Sequence, residues 1–164
     1  MTRTHFLGAA ALSGLLLSLG PALPAQQPAP PRAAGATVTV TVSGVHDRKG
    51  LLRVNLYQRA DGFPADTGKA FQRRDILLKG LPPQAPLDPI RVTFEGLPPG
   101  TYAVCSIHDS NGNNKLDTNF LGAPREDWAV SNDARPRFRS PRFDEAKFTL
   151  GAGEARAIAF RVRH

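Results

Sequence analysis

Strict alternation of apolar and polar residues is the feature that most constrains the fold of this chain. The stretch TVTVTV places Val38, Val40 and Val42 on one side of an extended strand and threonines on the other. Similar alternation recurs in LLRVNLY, PIRVTFE and ARAIAFRV, and Gly and Pro separate these segments. Helical periodicity is not convincing in any segment. The sequence therefore predicts an all-β fold, a single antiparallel β-sandwich of about seven strands.

The amino terminus has the pattern of an export signal. A short positively charged start and an apolar run up to Leu19 are followed by small residues. We predict a signal peptide over residues 1–25, a Pro/Ala-rich linker over 26–36 and the β-sandwich domain over 37–164. The apolar run is shorter than the ~20 residues of a membrane span. We therefore expect a periplasmic or secreted protein with no transmembrane segment in the mature chain.

The charge of the chain favours contact with anionic surfaces. The 21 basic and 14 acidic residues give a net charge of +7, which suits an anionic envelope polymer. Nucleic acid is not expected as a partner of an exported protein. The Arg-rich stretch ARPRFRSPRF, 134–143, is one candidate docking segment. Its other interpretation is an edge strand or loop with solvated arginines and with Phe138 and Phe143 packed inward.

A polar stretch, HDSNGNNKLDTNFLGAP at 108–124, resembles a calcium-binding loop in its spacing. Places one, three, five, seven and nine of such a loop are occupied by Asp109, Asn111, Asn113, Lys115 through its carbonyl, and Asp117. Phe120 stands where the bidentate Glu is usual, so a Ca²⁺ site here would be weak unless Glu126 or Asp127 folds back. The alternative is a turn held together by its own Asp and Asn side chains.

The longer segment 108–132 is also a candidate site for a small polar ligand, because long ordered loops are often functional. Its candidate binding residues are His108, Arg125, Glu126, Trp128, Ser131 and Asn132. For Trp128 the alternative is a core plug. The histidines that follow the signal have no metal-ligand spacing such as H-E-x-x-H.

These patterns favour a non-catalytic binding or accessory module of the bacterial envelope, with 108–132 as its site. One alternative is a structural envelope protein that docks on anionic polymer through its basic surface. Another is a hydrolase that uses His108 and Ser131, since a triad is assembled in space. We do not expect an enzyme, because the sequence lacks a nucleophile elbow such as G-x-S-x-G.

Several motifs taken together resemble a bacterial domain-of-unknown-function family, number 2141. The matching motifs are GFP at 62–64, FEGLPPGTYAV at 94–104, the stretch 108–124, and Ser131, Asn132, Ala134 and Arg135. The GLPPGTY turn also resembles transthyretin-like domains. The resemblance implies an exported transthyretin-like or immunoglobulin-like sandwich and no established reaction. The chain departs from the family at Asn114, where Gly is usual, and in EDWAVSN, which is poorer in Gly and aromatic residues.

Overall fold

The alternating TVTVTV stretch lies in the first strand of an all-β structure, as predicted. The computed structural model describes residues 35–113, 117, 125–137 and 139–163. The predicted signal peptide, and the predicted linker up to residue 34, lie outside the described residues. The first strand begins at Ala36, one residue before the predicted start of the domain.

The described residues form eight strands and four short helical segments. The strands are β1 Ala36–Ser43, β2 Leu51–Tyr57, β3 Gln72–Leu77, β4 Ile90–Leu97, β5 Gly100–Asp109, β6 Asp127–Val130, β7 Phe148–Leu150 and β8 Ala155–Arg161. Helix α1 is Phe143–Ala146, and 3-10 turns cover Thr67–Lys69, Leu78–Gly80 and Ser131–Asp133. Strand β6 lies inside the segment that the sequence analysis treated as one long loop, so that connection is shorter than predicted.

The strands form two sheets. One has the order β4-β1-β8, and the other has the order β3-β2-β5-β6, with β7 also paired to β5. The prediction of a purely antiparallel sandwich is wrong at one pair, because β1 and β8 run parallel. The prediction relied on short turns between neighbours. β1 and β8 are the first and last strands along the sequence, so no turn joins them. Nothing local therefore determines their relative direction.

The apolar faces of the two sheets share one core. Val38, Val40 and Val42 of β1 are completely buried, and the threonines between them are partly exposed. Leu56 of β2 and Phe94 of β4 belong to the same buried cluster, one from each sheet. The period-two pattern therefore identified the inward side chains of both sheets correctly.

The central strands of the five-stranded sheet are buried on its outer face as well. Tyr57, Cys105 and Ile107 point away from the shared core and pack against Phe143 of α1 in a second cluster. Burial raises the pKa of the Cys105 thiol to about 12, so this residue behaves as a small hydrophobe rather than a nucleophile. The alternation did not predict this burial of the outer face, because it assigned one face of each strand to solvent.

The GLPPGTY segment carries the chain from one sheet to the other. Leu97 at the end of β4 is completely buried. The Tyr102 hydroxyl in β5 donates a 2.6 Å hydrogen bond to the Pro98 carbonyl and accepts one from Gln58 Nε2 at 3.0 Å. These bonds hold the start of β5 against the turn, and the rest of β5 extends to Asp109 at the far end of the sheet.

Among the described residues, no helix is both long and apolar enough to cross a membrane. The helical segments there have at most four residues.

Two leucines of the β2–β3 pair provide a matched test of this packing. Leu56 is completely buried, whereas 51% of Leu77 is exposed. We expect Leu56→Ala to lower the free energy of unfolding by about 2–5 kcal/mol, since it removes core contacts and leaves a cavity. Leu77→Ala should change it by about 0.5 kcal/mol or less. Urea denaturation measures both values, and equal losses would contradict the assigned register.

Candidate functional site

The polar loop begins where β5 ends, at Asp109. Only 1% of Asp109 is exposed. Its Oδ1 accepts hydrogen bonds from the backbone N–H of Gly112 at 2.6 Å and of Asn113 at 3.2 Å. This is the side-chain-to-backbone turn that Asp favours after a strand. The described part of the loop therefore curls back around the Asp109 carboxylate.

Asp117 closes the other side of the curl. Its carboxylate accepts from Asn111 Nδ2 at 2.6 Å and from Asn113 Nδ2 at 2.8 Å. Asn113 N–H also donates to Asn111 Oδ1 at 3.0 Å. Four of the five predicted metal ligands are thus brought together, while the fifth, Lys115, lies outside the described residues. These bonds are the ones that a self-bonded turn predicts, and they also bring together the four side chains that a cation site would use.

Glu126 reaches back to the same loop, as a complete cation site would require. Its Oε1 accepts from Ser110 N–H and its Oε2 from Asp117 N–H, both at 3.2 Å. Burial raises the pKa of Glu126, the negative charges of Asp109 and Asp117 raise it further, and the two backbone hydrogen bonds oppose the shift. Glu126 is therefore close enough to Asp109 and Asp117 to be repelled by both charges.

His108 points to the opposite side of β5 from Asp109, towards the end of the shared core. It is 3% exposed, and its Nε2 lies 3.1 Å from the Lys49 carbonyl oxygen and 3.6 Å from Asp47 Oδ1. The segment between β1 and β2 is thus part of the site. Sequence reasoning missed this segment, although the repeated His-Asp dipeptide at 46–47 and 108–109 was a usable signal.

A pocket of about 220 Å³ opens beside His108 at this end of the five-stranded sheet. Its lining residues are His46, Asp47, Lys49, His108, Ser110, Arg125, Glu126 and Asp127. Three of the predicted ligand-binding residues, His108, Arg125 and Glu126, lie here together. The lining combines three carboxylates, two basic side chains and two imidazoles, so it suits a small polar or charged ligand better than an apolar one.

Trp128 lies outside this lining. It is partly buried and packs against the second cluster, under α1. The Arg135 guanidinium lies 4.6 Å from the centre of its ring and donates to the carbonyl oxygens of Trp128 and Arg163, the latter at 2.7 Å. Burial lowers the pKa of Arg135, and the charge of Arg163 adds to that shift. One side of the indole is therefore covered by Arg135 through a cation–π contact.

Ser131 and Asn132 also hold the backbone rather than line the pocket. The completely buried Ser131 hydroxyl accepts from Val104 N–H at 2.9 Å and donates to the Ala146 carbonyl at 2.6 Å. Asn132 Nδ2 donates to carbonyl oxygens at the end of α1. Ser131 contacts β5 four residues away from His108, roughly 13 Å along a strand. The structure does not bring the predicted Ser131–His108 pair together.

The family model described as an uncharacterized protein conserved in bacteria (DUF2141) matches residues 40–158. The chain belongs to this family. The match covers both sheets, the polar loop and the pocket. No curated protein and no solved structure matches the chain.

The Arg-rich segment of this DUF2141 member is partly engaged within the domain. Arg139 pairs with Glu145 through two hydrogen bonds of 2.9 and 2.5 Å, which lower the pKa of that carboxyl to about 2. Arg135 covers Trp128. Arg137 and Arg142 are exposed, and Phe143 is buried as predicted, while Phe138 lies outside the described residues. The segment therefore resembles the loop interpretation more than a continuous edge strand.

A serine pair tests the structural role of Ser131. We expect Ser131→Ala to lower the free energy of unfolding by about 1–3 kcal/mol, because the buried Val104 N–H loses its acceptor. Ser140→Ala removes an exposed hydroxyl of the same type and should cost about 0.5 kcal/mol or less. Denaturant unfolding compares the two, and a loss for Ser131→Ala no larger than for Ser140→Ala would contradict this role.

Proposed function

We propose that this chain is a non-catalytic binding or accessory module of the bacterial envelope that binds Ca²⁺ in its polar loop. The observation that supports the proposal is the convergence of Asp109, Asn111, Asn113 and Asp117 with the returning carboxylate of Glu126. The spacing of the first four matches a calcium loop. Glu126 would serve as the bidentate carboxylate ligand, because Phe120 stands where the loop usually has that Glu.

The chemistry of the loop favours a hard divalent cation. Ca²⁺ binds six to eight oxygens, and carboxylate and amide oxygens are its usual ligands. The pKa of Glu126 is raised by burial and further by the charges of Asp109 and Asp117, and a bound cation would relieve that repulsion. The amides of Asn111 and Asn113 would rotate to present oxygen instead of nitrogen. Because these amides must rotate before the cation binds, we expect a dissociation constant of ~10⁻⁴ to 10⁻³ M, as in extracellular modules.

In this proposal the module binds a further ligand at the bacterial envelope. An exported, single-domain β-sandwich of transthyretin-like type would present the loop and the adjoining pocket at one end of its five-stranded sheet. A small polar ligand suits the mixed charges of that pocket. Docking on an anionic polymer through the basic surface has less support, because Arg135 and Arg139 are engaged within the domain. The hydrolase alternative has no support from Ser131, whose hydroxyl is bonded to the backbone.

Thermal unfolding of the purified protein in EDTA and in roughly 10–100 mM Ca²⁺, a hundred times the expected dissociation constant, tests the cation site. At a Ca²⁺ concentration a hundred times the dissociation constant, the gain is ~2.7 kcal/mol, which corresponds to a midpoint rise of roughly 5–15 °C. Asp117→Asn should abolish the rise, because it removes a central carboxylate from the exposed side of the loop.

Asp61→Asn is the matched control, since that carboxylate is 74% exposed and lies on a different loop. It should leave the Ca²⁺ effect intact. An unchanged midpoint in the unmodified protein, with Mg²⁺ also silent, would leave the loop a self-bonded turn and refute the proposal.

The pH dependence of the Ca²⁺ effect follows from Glu126. Its raised pKa means that the folded protein holds this proton more tightly than the unfolded chain does. Without metal, the stabilisation from this proton is present below the unfolded pKa and is lost as pH rises through the folded pKa. Ca²⁺ competes with the proton, so the Ca²⁺-dependent midpoint rise should shrink as pH falls through the folded pKa.

Midpoints measured with and without Ca²⁺ from roughly pH 4.5, just above the usual Glu value, to pH 7.5 check this expectation. Glu126→Gln should flatten the pH dependence of the Ca²⁺-dependent midpoint rise across that range. It should also reduce that rise at the upper end of the pH range. A pH dependence that persists unchanged in Glu126→Gln would assign the titration to another group.

A further inference from the structure

Two histidines and an aspartate meet at the rim of the pocket, from three different parts of the chain. His46 lies in the segment that follows β1, His108 is near the end of β5 and Asp127 begins β6. His108 and Asp127 are directly opposite each other in the β5–β6 register. Their side chains therefore project on the same face of the sheet, towards the end of the shared core, and His46 approaches them from the neighbouring segment.

The donor atoms of this triad are close together. His46 Nδ1 lies 3.2 Å from Asp127 Oδ2. The rings of His46 and His108 meet edge to face with centroids 5.7 Å apart. One donor atom from each of the three side chains lies within 4.8 Å of the other two. Tetrahedral ligands at zinc bond lengths of ~2.0–2.1 Å are ~3.4 Å apart, so the His46–Asp127 pair already has the required separation.

His46 is the side chain that can move to bring the three donor atoms closer together. The side chain of His46 is 67% exposed and lies on an irregular segment, whereas the side chain of Asp127 is 13% exposed and is fixed in a strand. His108 is buried, so it provides the fixed imidazole.

The surroundings of His108 resemble the outer shell of a metal site. The Lys49 carbonyl, 3.1 Å from Nε2, can accept a proton held there, and this tautomer leaves a lone pair on Nδ1. Asp47 Oδ1 lies 3.6 Å from Nε2, beyond hydrogen-bond distance, and adds negative charge beside the ring. The pocket lining carries three carboxylates against the two cations Lys49 and Arg125. With both histidines neutral, its formal charge of −1 favours a cation.

We propose that His46, His108 and Asp127 bind a divalent transition-metal ion, with Zn²⁺ as the representative ion, and leave one coordination position open to the pocket. Imidazole nitrogen with a carboxylate suits Zn²⁺, Co²⁺, Ni²⁺ or Cu²⁺ and does not suit Ca²⁺, which takes oxygen ligands. Two imidazoles and a carboxylate with an open fourth position form a ligand set that zinc accepts. His108 and Asp109 project to opposite sides of β5, so the triad shares no ligand with the calcium loop, although Glu126 lines the pocket beside it. The proposal does not rest on the proposed Ca²⁺ function.

Isothermal titration of the metal-stripped protein with Zn²⁺ in the presence of excess Ca²⁺ tests the proposal. We expect one Zn²⁺ per chain with a micromolar or tighter dissociation constant. Co²⁺ substitution should give the visible absorption bands of nitrogen and oxygen coordination. His46→Gln should weaken Zn²⁺ binding at least tenfold and alter the Co²⁺ spectrum. This variant leaves the buried His108 in place, so the fold is retained, which the urea midpoint verifies.

Two control variants distinguish the triad from other sources of binding. His164→Gln removes the terminal histidine and should bind Zn²⁺ like the unmodified protein. Asp61→Asn removes an exposed carboxylate on a different loop and should also leave Zn²⁺ binding unchanged. Failure of the unmodified protein to bind Zn²⁺ below millimolar concentration would overturn the proposal. Binding lost in His164→Gln and retained in His46→Gln would overturn it as well, since it would assign the ion to the chain terminus.

Discussion

The pairing of β5 with β2 is the interaction on which the rest of the structure depends. Seven consecutive residue pairs, from Leu51–Asp109 to Tyr57–Ala103, connect these strands. Both strands are buried on both faces, by the shared core on one side and by the second cluster, which includes Phe143 of α1, on the other. Their register therefore cannot slip by one residue without exchanging two buried faces.

The same register explains why polar residues with different chemistry gather at one end of the sheet. Asp109 and His108 are the last residues of β5 and point to opposite faces. Asp109 begins a loop whose oxygens converge with Glu126, and His108 meets His46 beside Asp127. One strand end thus presents an oxygen-rich site and a nitrogen-containing site side by side, on a support that the core makes rigid. Precise positioning of this kind is what ion binding needs from a protein.

Prediction from sequence succeeded where the signal was local and failed where the contact was distant. Val38 and Val40 were recognised as residues of one strand face by alternation, and the turn around Asp109 by its Asp and Asn content. Strand β6 was missed, because Asp127 to Val130 is too short to show a period. Arg53 is 2% exposed although it occupies a predicted outward position, because Asp75 on β3 supplies a two-bond partner for its guanidinium.

By itself the sequence determined the all-β class, the inward faces of the main strands, the family and the polar composition of the loop. Each of these depends on residue identity and on neighbours within a few positions. Only the tertiary structure decided that β8 lies parallel to β1, that Ser131 is bonded to the backbone, and that His46 approaches His108. Those arrangements are contacts between segments far apart in the chain. Which distant segments meet is decided by the burial of whole sheet faces, for which a linear pattern carries no direct signal.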